Sequence, residues 1–194
     1  MSVRLLVLHA RSRRAGGTVL CLLGIALALA VLEPWLVAQP RYGEMVRLPL
    51  SFFGAAAAVI TLSGTLHSAA HQVEASTPQP WRAWRAAHGL LALTAGAALL
   101  GRALPTEAWG VHCLLRSLTG LLGLALLAAS IVGPRLAWSL PCVYGAAAYL
   151  SGGISSTGAR AAWGFVTQPT GNLTADITAG SLFALGLLAW TRKD

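Results

Sequence analysis

Residues 109–131 read WGVHCLLRSLTGLLGLALLAASI, and this run decides the class of fold. Its only charged side chain is Arg116, and its apolar residues surround a helix instead of alternating along a strand. A helix of about 20 mostly apolar residues crosses a hydrocarbon core of roughly 30 Å. The run therefore predicts a membrane-spanning helix, since lipid requires each span to satisfy its own backbone and a barrel strand would alternate.

Five further stretches of similar character accompany this run. The connecting segments are short, apart from residues 155–175, which we call the outer segment. No connection is long enough for a soluble domain. The sequence therefore predicts an all-α membrane protein, a single transmembrane domain over residues 1–194 with six helices. The predicted spans are 18–37, 49–67, 86–104, 109–131, 136–154 and 176–190.

The composition indicates the same class. The 194-residue chain is 56% hydrophobic and 10% charged, whereas a soluble domain carries about 25% charged residues. This balance excludes a soluble globular fold and a disordered chain. The net charge of +8 does not indicate nucleic-acid binding, because no basic patch with interleaved aromatic residues lies outside the apolar stretches. We therefore expect the lipid bilayer, and no nucleic acid, as a partner.

The distribution of lysine and arginine predicts the orientation of the helices. Both termini and residues 68–85 are predicted to be cytoplasmic, and residues 1–14 to form a short basic helix in the membrane interface. The basic run 11–14 could also open a secretory signal, but five further spans favour a first helix that stays. The cytoplasmic bases are Arg4, Arg11, Arg13, Arg14, Arg82, Arg85, Arg135, Arg192 and Lys193, and the outer ones are Arg41, Arg47, Arg102 and Arg160.

The cytoplasmic segment 68–85 carries an aromatic and basic surface. Pro78 and Pro80 interrupt a helix there, and a new helix is predicted to start at Trp81. Tryptophan and arginine are enriched where proteins bind one another. Next to a span they also serve as headgroup anchors, and both interpretations remain open. The residues concerned are Trp81, Arg82, Trp84 and Arg85.

Two features of the outer half of the chain are candidates for function. A charge inside a span is costly, so Arg116 is either a gating or substrate-path residue or a structural one, with Glu107 as a candidate partner. Snorkelling toward the outer surface is the competing account. The outer segment, with Trp163 and Phe165, is predicted to form an interfacial or re-entrant hairpin. The alternative is an aromatic belt on a flexible loop.

Three histidines give a rival hypothesis. His67 and His71 lie one helical turn apart, and His88 opens the next span on the same side. Two imidazoles from neighbouring helices could bind haem b, which would make the chain a membrane electron-transfer protein. Histidines at helix ends are also common as polar interface residues. No zinc-ligand or CxxC spacing accompanies them, so no metal site is predicted.

Catalytic signatures are absent from the sequence. It has no phosphate-binding loop, no HExxH and no GxSxG. We therefore expect neither enzyme activity nor a cofactor in this chain. No carboxylate lies in the middle of a predicted span, which argues against a proton-coupled carrier.

The order of these parts resembles that of ABC-2-type permeases, the membrane subunits of one class of ATP-binding-cassette exporters, in a small bacterial form. The residues that carry the resemblance are Glu74 followed by Arg82, Arg85 and His88, the run 115–125 (LRSLTGLLGLA), and Trp163 with Gln168-Pro169 before the last span. The resemblance implies a multi-pass protein of the bacterial plasma membrane. It also implies a homodimer, or a heterodimer with a second permease, and a separate ATPase that binds ATP and Mg.

The resemblance further implies roles for particular residues. Glu74, Trp81, Arg82, Trp84 and Arg85 would contact the ATPase. The substrate path or its gate would involve Arg116, Trp163 and Phe165. We expect an exporter, of the kind linked to antibiotic resistance, for an amphiphilic or peptide-like substrate. An accessory or immunity protein with no transport cycle of its own is the further alternative.

Overall fold

The structure is a computed structural model, and it describes most of the chain. The described residues are 15–32, 38–41, 44–47, 50–67, 81–103, 110–151 and 158–192. Several predicted features lie outside them: the interfacial helix 1–14, most of the segment 68–85 with Glu74 and His71, and Glu107.

The fold is helical, as predicted, and a helix lies in each of the six predicted apolar stretches. A seventh, short helix lies within the outer segment. The helices are α1 (Ala15–Leu32), α2 (Leu50–Ser63), α3 (Trp81–Leu100), α4 (Val111–Ile131), α5 (Ser139–Ser151), α6 (Gly158–Trp163) and α7 (Leu173–Arg192). Single 3₁₀ turns follow α2, α4 and α6, at Gly64–Leu66, Pro134–Leu136 and Phe165–Thr167.

Local sequence explains where two helices begin. α3 begins at Trp81, directly after Pro80, which cannot occupy a helix interior. α7 begins three residues before the predicted start because Asn172 caps it. The Asn172 Oδ1 accepts a hydrogen bond of 3.1 Å from the backbone N–H of Ala175, which satisfies one of the unpaired N–H groups of the first turn.

A short β-hairpin between α1 and α2 was not predicted. Its strands, β1 (Ala38–Arg41) and β2 (Glu44–Arg47), pair antiparallel with Ala38 opposite Arg47. They are the only strands within the part of the chain that the structure describes. The hairpin pairs backbone groups in the connection between the first two predicted spans, where no secondary structure was predicted.

Helix α4 lies at the centre of the bundle. Its side chains are buried on all faces over most of its length, and α2, α3, α5 and α7 pack around it. α4 and α7 run parallel, since His112 lies beside Asp176 and Gly123 meets Leu182. α3 runs antiparallel to α4.

The bundle consequently has two distinct ends. The end that holds Arg85 and Trp190 is called the Trp190 end, and the opposite end, where α4 and α7 begin, is called the Arg116 end. The 3₁₀ turns Gly64–Leu66 and Pro134–Leu136 pack together at the Trp190 end.

Within the described residues, two helices are long and apolar enough to cross a membrane, judged by length and composition alone. They are Val111–Ile131 and Leu173–Arg192. The apolar helical stretches Gly16–Leu32 and Ser51–Leu66 are shorter. Outside the core the bundle surface is nevertheless apolar: Leu20 is 71% exposed, Val143 68% and Leu150 77%.

Candidate functional site: Arg116 beneath the outer segment

The described part of the outer segment, residues 158–175, folds onto the Arg116 end of the bundle. Two glycines within it have positive φ, +77° at Gly158 and +84° at Gly171. Between them α6 and a 3₁₀ turn bring Phe165 and Val166 into the core, with 0% and 1% of their surface exposed. The segment is therefore folded against the helices here, and its depth in a membrane stays a prediction.

Aromatic residues attach this segment to α4 and α5. The Phe165 ring stacks on Tyr144, with 5.3 Å between centroids and 16° between planes, and lies in the space that a side chain at Gly120 would fill. The Tyr144 hydroxyl donates to the Trp163 carbonyl. Trp163 is half exposed and donates through Nε1 to Ser151 Oγ at 3.0 Å. Trp163 and Phe165 thus act as the contacts that hold the segment in place.

Arg116, on α4, binds the backbone of the same segment. Its side chain is 2% exposed, so the guanidinium does not snorkel to the surface. Nη1 donates to the Pro169 carbonyl at 3.0 Å, and Nη2 donates to the Gln168 carbonyl. The thiol of Cys113, one helical turn earlier, donates to the same Gln168 oxygen at 3.4 Å. The buried cation therefore joins α4 to the backbone of the outer segment.

Asp176 is the carboxylate that faces Arg116. Its Oδ1 lies 3.5 Å from Arg116 Nη1, and its Oδ2 lies 3.8 Å from His112 Nε2. Sequence reasoning named Glu107, which lies outside the described residues, and missed Asp176. A usable signal was present, because Asp176 lies in the first turn of α7 and the predicted topology starts spans four and six at the same end.

Two atoms of this ion pair have no hydrogen-bond partner although they are buried. They are Arg116 Nε and Asp176 Oδ1. Such groups are rare in folded proteins because burying an unpaired polar atom is costly. The guanidinium offers five N–H donors in a planar fork. Its Nη atoms bind the two carbonyls, and Nη2 also donates to Cys113 Sγ at 3.6 Å, while the Nε–H has no hydrogen bond.

Of the predicted partner-binding residues, the four that the structure describes, at positions 81, 82, 84 and 85, lie at the Trp190 end. Arg82 is exposed and Trp84 half-buried, both in the first turn of α3, and Trp81 is the first residue of that helix. The guanidinium carbon of Arg85 lies 5.4 Å from the centre of the Trp190 ring, within the range of a cation–π contact. That contact ties the start of α3 to the end of α7.

The histidines of the rival hypothesis lie at the same end. His67 is exposed, and His88 Nε2 lies 3.0 Å from Thr65 Oγ1. The Thr65 hydroxyl also lies 2.7 Å from the Leu62 carbonyl, so it bridges α2 and the ring of His88. A haem ligated through His88 Nε2 would have to displace this contact with Thr65.

Helix α7 connects the two ends of the bundle. Asp176 in its first turn faces Arg116, and Trp190 in its last turn faces Arg85. At 1.5 Å per residue these positions are about 21 Å apart along one helix. α7 therefore carries one contact with α3 at the Trp190 end and the ion pair with α4 at the Arg116 end.

Comparisons of the chain with family models, with curated proteins and with solved structures returned no match.

Proposed function

We propose that the chain is the membrane-spanning permease subunit of an ATP-binding-cassette exporter in a bacterial plasma membrane, with the ATPase on a separate chain. In this proposal α1–α5 and α7 all cross the bilayer, and both termini are cytoplasmic. The exposed leucines and valines of α1, α5 and α7 support a lipid environment, because monomeric soluble proteins rarely expose large apolar patches.

The observation that carries the proposal is the connection that α7 makes between the two ends. The Trp190 end bears exposed basic side chains, including Arg82, as a surface that binds a partner would. The Arg116 end bears the folded outer segment. An exporter driven by a separate ATPase needs such a link, because force applied on one side of the membrane must change access on the other.

The proposed cycle is mechanical. Closure of the ATPase on ATP moves the segment 68–85 with its Glu74, Trp81 and Arg85, and the start of α3 moves with it. The contact of Arg85 with Trp190 passes that movement to α7. Repacking at the Arg116 end then opens a path beside Trp163 and Phe165 for an amphiphilic or peptide-like substrate, between two permease subunits.

Charge reversal at Arg82 tests this proposal. Arg82→Glu is expected to reduce the amount of ATPase that co-purifies with the tagged chain, when both are expressed with their gene neighbours, by about tenfold, because close charge pairs at an interface are worth more than 1 kcal/mol. Quantitative mass spectrometry of the ATPase measures the effect. Arg135→Glu is the matched control, since Arg135 is also exposed and lies at the same end outside the segment 68–85.

Two results would contradict the proposal. If the wild-type chain binds no ATPase when expressed with its neighbours, the permease proposal is wrong and the accessory or immunity protein becomes the better account. Equal losses for Arg82→Glu and Arg135→Glu would contradict the assignment of the segment 68–85 as the contact.

A further inference from the structure

We propose that an anionic phospholipid binds in the groove between α3 and α7 at the Trp190 end. Arg82 and Arg192 bind its phosphate. An acyl chain lies along Leu90 and Leu188. This inference rests on the proposal that the bundle crosses a membrane, but it does not depend on the proposed ATPase or on transport.

The contact between α3 and α7 determines which residues border the groove. A Cβ on Gly89 would lie 2.8 Å from Leu187 Cδ1, so these two positions face each other. The two helices run antiparallel, since Arg85 meets Trp190 one turn further along. In antiparallel helices the residues that directly follow a facing pair turn toward the same side of the contact.

The residues on that side are large, apolar and open to the surroundings of the bundle. They are Leu90, which follows Gly89, and Leu188, which follows Leu187. Leu90 is 48% exposed and Leu188 is 50% exposed. The groove between the two helices therefore has an apolar wall on each side.

Two exposed arginines lie at the end of this groove. Arg192 lies one helical turn after Leu188 on α7, and Arg82 lies two turns before Gly89 on α3. At 1.5 Å per residue, Arg192 is about 7.5 Å and Arg82 about 10.5 Å beyond the facing pair, so the two lie at nearly the same height. One phosphate can therefore contact a guanidinium from each helix.

The charge at this end favours an anionic ligand. Within the part of the chain that the structure describes, the acidic residues are Glu44 and Asp176, and both lie toward the Arg116 end. Basic pockets between membrane helices on the cytoplasmic side bind anionic lipid headgroups. Arginine suits a phosphate because its planar fork can donate two parallel hydrogen bonds.

The leucines favour a lipid over an acidic protein as the ligand. Leu90 lies eight residues after Arg82 on α3, which is about 12 Å deeper in the bundle. A soluble protein that binds the arginines from the cytoplasm would leave this apolar part of the groove empty. A phospholipid joins a phosphate to an acyl chain, so it fills both parts.

Native mass spectrometry of the full chain in a neutral detergent tests the inference. Titration with phosphatidylglycerol, and with phosphatidylcholine of the same acyl chains, gives the affinity for the first bound molecule of each lipid. We expect phosphatidylglycerol to bind at least tenfold more tightly. Arg192→Gln is expected to reduce that preference about fivefold, because each basic side chain at a membrane surface contributes roughly this factor.

Arg135→Gln is the matched control. Arg135 is also exposed at the Trp190 end, but it lies in the 3₁₀ turn after α4 and not beside the groove. This variant is expected to keep the preference for phosphatidylglycerol. Arg192 is chosen for the test because it is not among the proposed ATPase contacts.

Three results would overturn the lipid site while the membrane proposal stands. They are equal binding of the two lipids to the wild-type chain, equal effects of Arg192→Gln and Arg135→Gln, and displacement of phosphatidylglycerol by an equal concentration of glycerol 3-phosphate. The last would show that the phosphate alone is recognised and that the apolar groove is not used. A chain that stays monodisperse without detergent would overturn the membrane proposal and the lipid site together.

Discussion

At the junction between the outer segment and α7, a single glycine sets the path of the chain. Gly171 has a φ of +84°, a conformation that L side chains adopt at a cost of roughly 1–2 kcal/mol. A Cβ at this position would meet nothing within 4 Å. The cost of a substitution there is thus conformational rather than steric, which makes the effect predictable.

Gly171→Ala is expected to lower the free energy of unfolding by about 1–2 kcal/mol. The measurement is equilibrium unfolding of the full chain in detergent with increasing denaturant. Gly180→Ala in α7 is the matched control, because its added Cβ also meets nothing within 4 Å but its backbone is helical. That control is expected to be neutral or up to about 1 kcal/mol more stable. Equal effects of the two variants would contradict the role of the positive φ.

Sequence reasoning identified Arg116 as a costly charge but did not identify its surroundings. A charge within an apolar run is visible in one dimension, whereas its partners come from distant positions: two backbone carbonyls of the outer segment and Asp176. Carbonyls carry no signal in the sequence, since every residue has one. Asp176 was visible as a residue but was counted only as an outer charge, because it lies at a predicted helix boundary.

Among the described helices, α4 and α7 approach closely enough for backbone to meet backbone. A Cβ on Gly123 would lie 2.5 Å from the backbone carbonyl of Leu182, and one on Gly186 would meet the backbone of Gly123. Membrane helices associate through such small residues because lipid provides no hydrophobic drive between them. The crossing keeps α7 parallel to α4 and so places Asp176 beside Arg116.

Gly123→Ala should therefore separate α4 from α7 and destabilise the protein by about 1–3 kcal/mol, since inserting an atom into a packed contact forces the backbone to move. Equilibrium unfolding in mixed micelles measures the change. Gly24→Ala in α1 serves as control, because a Cβ there meets nothing within 4 Å. A Gly123→Ala protein as stable as Gly24→Ala would show that the two helices are not in this close contact.

The elements themselves followed well from the sequence. Each of the six predicted apolar stretches contains a helix, because the exclusion of charge over about 20 residues is a strong one-dimensional signal. Helix ends were less predictable, as the cap at Asn172 depends on a side-chain hydrogen bond. The hairpin Ala38–Arg41 with Glu44–Arg47 gave no apolar alternation to recognise. The packing role of Gly120 and Gly123 could not be predicted from the sequence, because it depends on which residues they contact in the fold.

At the scale of the whole molecule, the described part of the chain separates charged ends from apolar sides. Exposed arginines 82, 135 and 192 lie at the Trp190 end, and the exposed Arg102 follows α3 at the Arg116 end. The sides of the bundle between these ends expose large apolar residues, among them Leu20 and Leu150. The proposed orientation, with the Trp190 end in the cytoplasm, expects an excess of basic side chains at that end.

Two single-cysteine variants test that orientation directly. The native cysteines are first replaced by serine at positions 21, 113 and 142, which preserves a donor at Cys113 for the Gln168 carbonyl. Arg102→Cys is then expected to react with a membrane-impermeant maleimide in intact cells, whereas Arg135→Cys should react only after permeabilisation. The two positions are matched, since each replaces an exposed arginine just beyond the end of a long helix. Labelling of both variants in intact cells, or of Arg135→Cys alone, would contradict the six-span topology with cytoplasmic termini. The partner surface proposed at Arg82 would then lie outside the cell, where an ATPase could not bind it.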